Sequence, residues 1–116
     1  MNALIIVNYN SNDQVTELLK ASKFDFLNIS KVFVHCNGDK ADNSYLITWY
    51  EIAISKNLSL SVVNEKNLGY GEAINHWLNL NLQYKYLFFS NADLWIDENQ
   101  NYKFPLNADI VGFGLW

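Results

Sequence analysis

Five short apolar runs recur along the chain, and most are separated by stretches that carry apolar residues at helical spacing. The runs cover residues 3–7, 31–36, 58–63, 86–89 and 108–112. The first, Ala-Leu-Ile-Ile-Val, is short and rich in β-branched residues, so it predicts a strand buried on both faces. Helices are predicted at about residues 14–22, 45–55 and 70–82. Asn12 or Asp13 is the expected cap of the first helix. This alternation predicts an α/β fold, with a mostly parallel sheet and helices on both faces.

Composition supports one folded domain spanning residues 1–116. Half of the residues are hydrophobic, which excludes disorder, and 116 residues can bury a core. The net charge is -4, and all eight cations are Lys. An acidic chain without Arg is a poor fit to nucleic acid, because phosphate neutralisation dominates that kind of binding. We therefore expect no nucleic-acid partner.

Cysteine content and hydropathy point to the cytoplasm. Cys36 is the only cysteine, which excludes an internal disulfide and a cysteine-rich zinc site. No apolar run approaches the roughly 18 residues that span a bilayer. The N-terminus lacks the basic flank and cleavage site of a signal peptide. We expect a soluble protein on the cytoplasmic side.

Four polar segments directly follow predicted strands. They are residues 8–11, 36–39, 64–69 and 90–93. In an open parallel sheet, a ligand binds at the carboxyl ends of the strands, near the switch in strand order. These segments form the expected binding edge, although solvation alone also makes such loops polar.

The segment after the fourth strand is the most informative of these. Asp93 ends the sequence Phe-Phe-Ser-Asn-Ala-Asp. An acid at the mouth of a buried strand can hold Mg²⁺ or Mn²⁺, and the cation would bridge the phosphates of a nucleotide. Lys66 is one of the few other groups that could neutralise a diphosphate. A cap of the following turn explains Asp93 equally well when it is taken alone.

Two glycines lie at the start of the third predicted helix. Gly69 and Gly71 would permit close approach of a ligand and expose backbone N–H groups. The Gly-Lys-Ser/Thr ending of a phosphate-binding P-loop is missing. No Gly-x-Gly-x-x-Gly follows the first strand, which argues against a nicotinamide dinucleotide. A tight turn is the simpler alternative.

Taken in order, the four segments resemble the N-terminal half of family 2 glycosyltransferases. Residues 4–11, Leu-Ile-Ile-Val-Asn-Tyr-Asn-Ser, closely resemble the opening strand and turn of that family. Residues 32–38 align with its strand ending in Asp-Asn-Gly or Asp-Asp-Gly. Residues 67–75 closely resemble its Asn-Leu-Gly-Phe-x-x-Ala-x-Asn block, and residues 86–93 resemble the strand that carries a metal-binding Asp-x-Asp or Asn-Pro-Asp. Four blocks in order, covering nearly the whole chain, make the resemblance fairly specific.

This resemblance implies a Rossmann-like core of the GT-A type that binds a nucleotide-sugar donor with Mg²⁺ or Mn²⁺. The implied reaction is an inverting sugar transfer to the hydroxyl of a glycan or lipid-linked acceptor, as in polysaccharide biosynthesis. Such an enzyme would lie in the cytoplasm or peripherally at the inner face of the membrane. By resemblance, the residues that would bind the donor are Tyr9, Asn10, Cys36, Asn37, Asn67, Gly69, Tyr70, Asn91 and Asp93. The last two of these would also hold the metal, and Asn75 would support the donor loop.

Three departures from the family pattern bear on catalysis. Cys36 stands where the family usually has an Asp, and a thiol is a poor substitute for a carboxylate acceptor. Asn91 replaces the first Asp of the metal motif, which removes one charge and weakens metal binding. The chain ends where the family's acceptor-binding half would begin. No convincing catalytic base is found, since Asp97, Glu98 and Asp109 fit solvated or structural roles equally well.

The remaining chemically versatile side chains have structural explanations. His35 and Cys36 are neighbours on a strand, so their side chains point to opposite faces and cannot act as a pair. His35 and His76 lack the spacing of a zinc site. Core positions are expected for four aromatics, namely Trp49, Trp77, Phe88 and Phe89. Trp95 and Trp116 are the better candidates for surface or interface contacts.

Three functional hypotheses stay open. The chain is the donor-binding half of a glycosyltransferase, a binding module that has lost catalysis, or a plain α/β scaffold. The apolar end at residues 112–116 either docks on the core or marks a cut inside a longer domain. In the second case, Phe113, Leu115 and Trp116 would form an exposed patch that favours a homo-oligomer or a missing C-terminal half.

Overall fold

A computed structural model describes residues 1–38, 41–64, 73, 75–77, 79, 84–92 and 110–113. The strands are β1 (Asn2–Asn8), β2 (Ile29–Cys36), β3 (Ser59–Asn64), β4 (Leu87–Asn91) and β5 (Ile110–Phe113). The helices are α1 (Asn12–Ala21) and α2 (Asn43–Ser55), with a 3₁₀ turn at Asp25–Leu27. Residues 73, 75–77 and 79 are also helical, inside the third predicted helix.

The strands form one parallel sheet with the order β3-β2-β1-β4-β5. The central strand, β1, is buried at every position, as its unbroken aliphatic run predicts. On one side of β1 lie β2 and then β3, and on the other side lie β4 and then β5. The α/β class and the parallel sheet are therefore confirmed.

Helices cover both faces of the sheet. The side chains of each strand alternate between the two faces, so each face carries its own set of apolar side chains that a helix can bury. On one face, Leu4 and Ile6 of β1 pack with the buried stripes of α1 and α2. On the other face, Ala3 and Ile5 pack with Trp77 of the third helical segment. The four aromatics expected in the core, Trp49, Trp77, Phe88 and Phe89, are all buried.

The start of α1 differs from the prediction. The helix begins at Asn12 and its N-cap is Ser11, so neither Asn12 nor Asp13 is the cap. The reason lies in Asn8, whose side-chain oxygen accepts a hydrogen bond from the Ser11 N–H and whose amide donates to Asn12 Oδ1. The hydrogen bonds of the Asn8 side chain thus hold the turn before α1, where the local sequence predicts a cap by Asn12 or Asp13.

Among the described residues, no helix has the length and apolar character needed to cross a membrane. The helices α1 and α2 have 10 and 13 residues. The predicted interface residues Leu115, Trp116 and Trp95 lie outside the described residues.

Candidate functional site at the carboxyl edge of the sheet

The carboxyl ends of the strands meet at one edge, because every pairing in the sheet is parallel. The strand order reverses between β1 and β4, since β2 and β3 lie on one side of β1 and β4 on the other. Open α/β sheets bind ligands outside such a switch point. The segments that follow β1, β2 and β4 are therefore the ones that matter most.

The turn after β1 is built around the Asn8 side chain, which is 1% exposed. Besides the bonds to Ser11 and Asn12, its amide nitrogen lies 3.6 Å from the Cys36 sulfur. Asn10 adopts a left-handed backbone with φ 51°, a conformation that Asn tolerates better than most residues. The turn leaves Asn10 and the 56%-exposed ring of Tyr9 facing outward.

The turn after β2 lies directly against the turn after β1. The Asn37 N–H donates a 2.7 Å hydrogen bond to the Asn8 carbonyl. A Cβ atom on Gly38 would lie only 2.9 Å from Asn10 Oδ1 and 3.3 Å from the Tyr9 ring. Only glycine allows this approach without moving a neighbour. The structure therefore brings together Tyr9, Asn10, Cys36 and Asn37, as the sequence predicts for the first two blocks.

Cys36 and Asn37 lie beneath this surface. Cys36 is fully buried and belongs to the core cluster, and Asn37 is 2% exposed. Burial raises the pKa of the Cys36 thiol, and hydrogen bonds from Asn8 and the Ala41 backbone only partly oppose the effect. In this conformation both residues hold the turn in place, and Tyr9 and Asn10 offer the exposed groups.

Asn91 ends β4 on the far side of the switch point. It pairs in register with Val7, is partly exposed, and its carbonyl accepts a 2.8 Å hydrogen bond from Ser90 Oγ. Its side chain shares the sheet face of Val7, opposite to that of Asn8. Asn91 thus approaches the edge from the face that Trp77 covers.

Other predicted donor residues fall where the structure is not described. Asn67, Gly69, Tyr70 and Asp93 all lie outside the described residues. Asn75, expected to support the donor loop, is helical and exposed. Within the described residues, no three His, Cys, Asp or Glu side chains cluster closely enough to hold a metal ion.

His35 and Trp77 form a buried pair just below the edge. The Trp77 indole N–H donates a 2.9 Å hydrogen bond to Nδ1 of His35, whose side chain is fully buried. The His76 ring lies 5.7 Å from that of His35 in an edge-on arrangement. The hydrogen-bond partner of His35 lies 42 positions away in the chain, so the local sequence does not reveal it.

A cleft of about 430 Å³ lies at the far end of α1, lined by residues 20–25 and Lys56. The Lys56 ammonium donates to the carbonyls of Lys20 and Ser22 and lies 5.4 Å from the centre of the Phe24 ring. A cation on the last carbonyls of a helix is a stabilising cap. This cleft has a structural explanation and is separate from the carboxyl edge.

Comparisons of the chain with models of protein families, with curated proteins and with solved structures give no match.

Proposed function

We propose that the chain is a glycosyltransferase-like domain that binds a nucleoside-diphosphate sugar with Mg²⁺ or Mn²⁺ at the carboxyl edge of its sheet. The observation that carries the proposal is the contact of the first two blocks, between the turns that follow β1 and β2, beside the switch point. There the missing Cβ of Gly38 leaves room for Asn10. The proposal also rests on the order of the four sequence blocks.

Exposed groups of the edge suit the nucleoside part of a donor. The amide of Asn10 can both donate and accept hydrogen bonds, as recognition of a base or ribose requires. The exposed Tyr9 ring beside it offers an aromatic surface. In this proposal, the buried Asn8 and Asn37 keep both groups in position, which lowers the entropy lost on binding.

In this proposal, the segment after β4 binds the diphosphate and the metal. The Asn91 amide supplies an oxygen of the kind that hard cations accept, and Asp93 would add the negative charge that the neutral amide lacks. When bound, the metal would stabilise charge on the departing nucleoside diphosphate. The edge itself would hold the donor in line for attack by an acceptor hydroxyl.

The acceptor and the location belong to the same proposal. A glycan or lipid-linked acceptor follows from the resemblance, as does a cytoplasmic position at or near the inner face of the membrane. The base that would deprotonate the acceptor is not assigned to a residue of this chain.

Calorimetric titration with UDP- and GDP-sugars, with and without Mn²⁺, tests the donor site. We expect metal-dependent binding that Asp93→Ala abolishes. Glu51→Ala is the matched control, because it removes the same charge from an exposed position in α2. Absence of binding by any nucleotide would leave only a plain α/β scaffold.

A donor-binding module without catalysis is the second candidate, and the buried Cys36 favours it. The family's carboxylate is replaced here by a fully buried thiol, so one donor contact of an active enzyme is missing. Release of free sugar from the bound donor, followed by chromatography, separates the two candidates. Turnover supports the enzyme, and tight binding without any hydrolysis or transfer supports the module.

A further inference from the structure

In the part of the chain that the structure describes, β3 is the last strand at one side of the sheet, and no strand pairs with its outer edge. Within the described residues β3 pairs only with β2, and both Ser59 and Asn64 at its ends are exposed. Its sequence, Ser-Leu-Ser-Val-Val-Asn, contains no charge and no proline. Edge strands in monomeric proteins are usually blunted by such residues, because their free N–H and C=O groups accept another strand.

The helix beside β3 carries an exposed apolar stripe. Ile47, Tyr50 and Ile54 of α2 are 60%, 42% and 76% exposed. Their spacing of three and four residues places them on one side of the helix. No charged residue lies within this stripe, and its size is that of the largest apolar patch on a typical monomer, which is often functional.

The stripe faces away from α1. The opposite flank of α2 contacts α1 through hydrogen bonds from Tyr45 to Asp13 and from Trp49 to Thr16. At about 100° per residue, the stripe lies on the order of 150° around the helix from that flank. It therefore lies on the side of the domain where β3 forms the edge. We call the stripe and the β3 edge together the β3–α2 face.

We propose that the β3–α2 face binds a second copy of this chain about a two-fold axis. The two β3 strands would pair antiparallel and extend the sheet across the dimer, while the two α2 stripes pack against each other. No residue of β3 is charged, so the two strands themselves bring no like charges opposite one another, and the Lys31 ammonium of β2 is held on one face of β3 by the hydroxyls of Ser59 and Ser61. The stripe can also pair with itself. When the two α2 helices run antiparallel, Ile47 lies opposite Ile54 of the other copy, and Tyr50 lies near Tyr50 of the other copy.

Area favours this occupant over a helix partner alone. The three stripe side chains expose surface on the order of 300 Å², less than half of the roughly 800 Å² that each partner of a stable interface buries. The strand edge must therefore contribute, and a second copy supplies both a matching edge and a matching stripe. In an antiparallel pair of β3 strands, the carboxyl edges point in opposite directions, so the dimer leaves both candidate donor sites open.

Sedimentation velocity of the whole chain from micromolar to near-millimolar concentration tests the dimer. We expect a shift from monomer to dimer in the wild type, and a dissociation constant raised at least about tenfold by Ile54→Lys. Ser55→Lys adds the same charge at an exposed neighbouring position on another side of α2 and should change it less than about twofold. Hydrogen exchange should show β3 amides that gain protection as the wild-type concentration rises.

Three results would overturn the proposal. The first is a wild-type chain that stays monomeric at the highest concentration. The second is a dimer that Ile54→Lys leaves intact, and the third is a dimer without added protection in β3. Co-sedimentation of wild-type monomer with lipid vesicles, lost in Ile54→Lys, would assign the stripe to a membrane surface instead.

Discussion

The indole N–H of Trp77 lies 2.9 Å from Nδ1 of His35, and both side chains are buried. The indole N–H can only donate, so Nδ1 of His35 is the acceptor of this bond. His35 directly precedes the Cys36–Asn37 turn, and Trp77 belongs to the helical segment that follows the third sequence block. One hydrogen bond thus ties the second block to the helical segment that follows the third block.

Trp77→Phe should lower the free energy of unfolding by about 1–3 kcal/mol, because it leaves the buried Nδ1 of His35 without its donor. Urea denaturation followed by circular dichroism measures this difference. The ring of Phe still fills most of the space against Phe33, whose centroid lies 4.7 Å from that of Trp77.

A double-mutant cycle separates the hydrogen bond from packing. Replacing both partners, in His35→Phe with Trp77→Phe, should cost clearly less than the sum of the two single changes, because the donor and the acceptor of this bond are then both absent. Strictly additive losses would show that the bond itself contributes nothing.

The strands and helices could be predicted well because their signals are local. The aliphatic run of β1 needs no partner to be recognised, and the observed strand exceeds the predicted one by a single residue at each end. The α/β class follows from the alternation alone. The strand order required coordinates, because pairing of β1 with β4 joins residues more than 80 positions apart.

The sequence predicts which loops form the candidate site, but not the contacts of the side chains within it. The first block correctly indicates a turn at Tyr9 and Asn10, but the role of Asn8 depends on contacts with Cys36 and Asn37 in another turn. Local sequence cannot show that the Cys36 side chain lies beneath the edge, because burial is set by α2 and the remaining sheet.

Asn57 gives a further prediction, at the end of α2. Its φ of 61° lets Leu58 N–H donate a 2.8 Å hydrogen bond back to the Ala53 carbonyl. Asn57→Ala should destabilise the fold by roughly 1 kcal/mol, since alanine is strained in this left-handed conformation. Asn57→Gly should be at least as stable as wild type. Thermal melts of the three proteins would contradict this if alanine and glycine behaved alike.

Cys36 should react slowly with alkylating reagents in the folded protein. The thiol is fully buried, and burial raises its pKa, so neither access nor ionisation favours reaction. Alkylation rates across a urea titration should follow the unfolding curve. Rapid labelling of the native protein would show that the turn over Cys36 opens without global unfolding.

The raised pKa of the Cys36 thiol also predicts that the free energy of unfolding depends on pH. A folded-state pKa above the unfolded one means that the folded thiol keeps its proton while the unfolded thiol ionises. The contribution of Cys36 to stability is therefore complete below the ordinary thiol pKa of about 9 and declines as the pH rises above it. The stability advantage of wild type over Cys36→Ala should shrink between about pH 8 and 10. Other alkaline titrations occur in both proteins and largely cancel in the difference.

Gly38→Ala probes the contact on which the proposed donor site rests. The new Cβ would lie 2.9 Å from Asn10 Oδ1, and because Asn10 is exposed, its side chain can move away at a stability cost below about 1 kcal/mol. If Asn10 binds the nucleoside, that movement should weaken UDP-sugar binding about tenfold or more, an effect of roughly 1.4 kcal/mol. Calorimetry should show the same loss for Asn10→Ala, and little further loss when both changes are combined. Full affinity in Gly38→Ala, with the fold intact, would mean that the donor does not contact the junction of the first two turns.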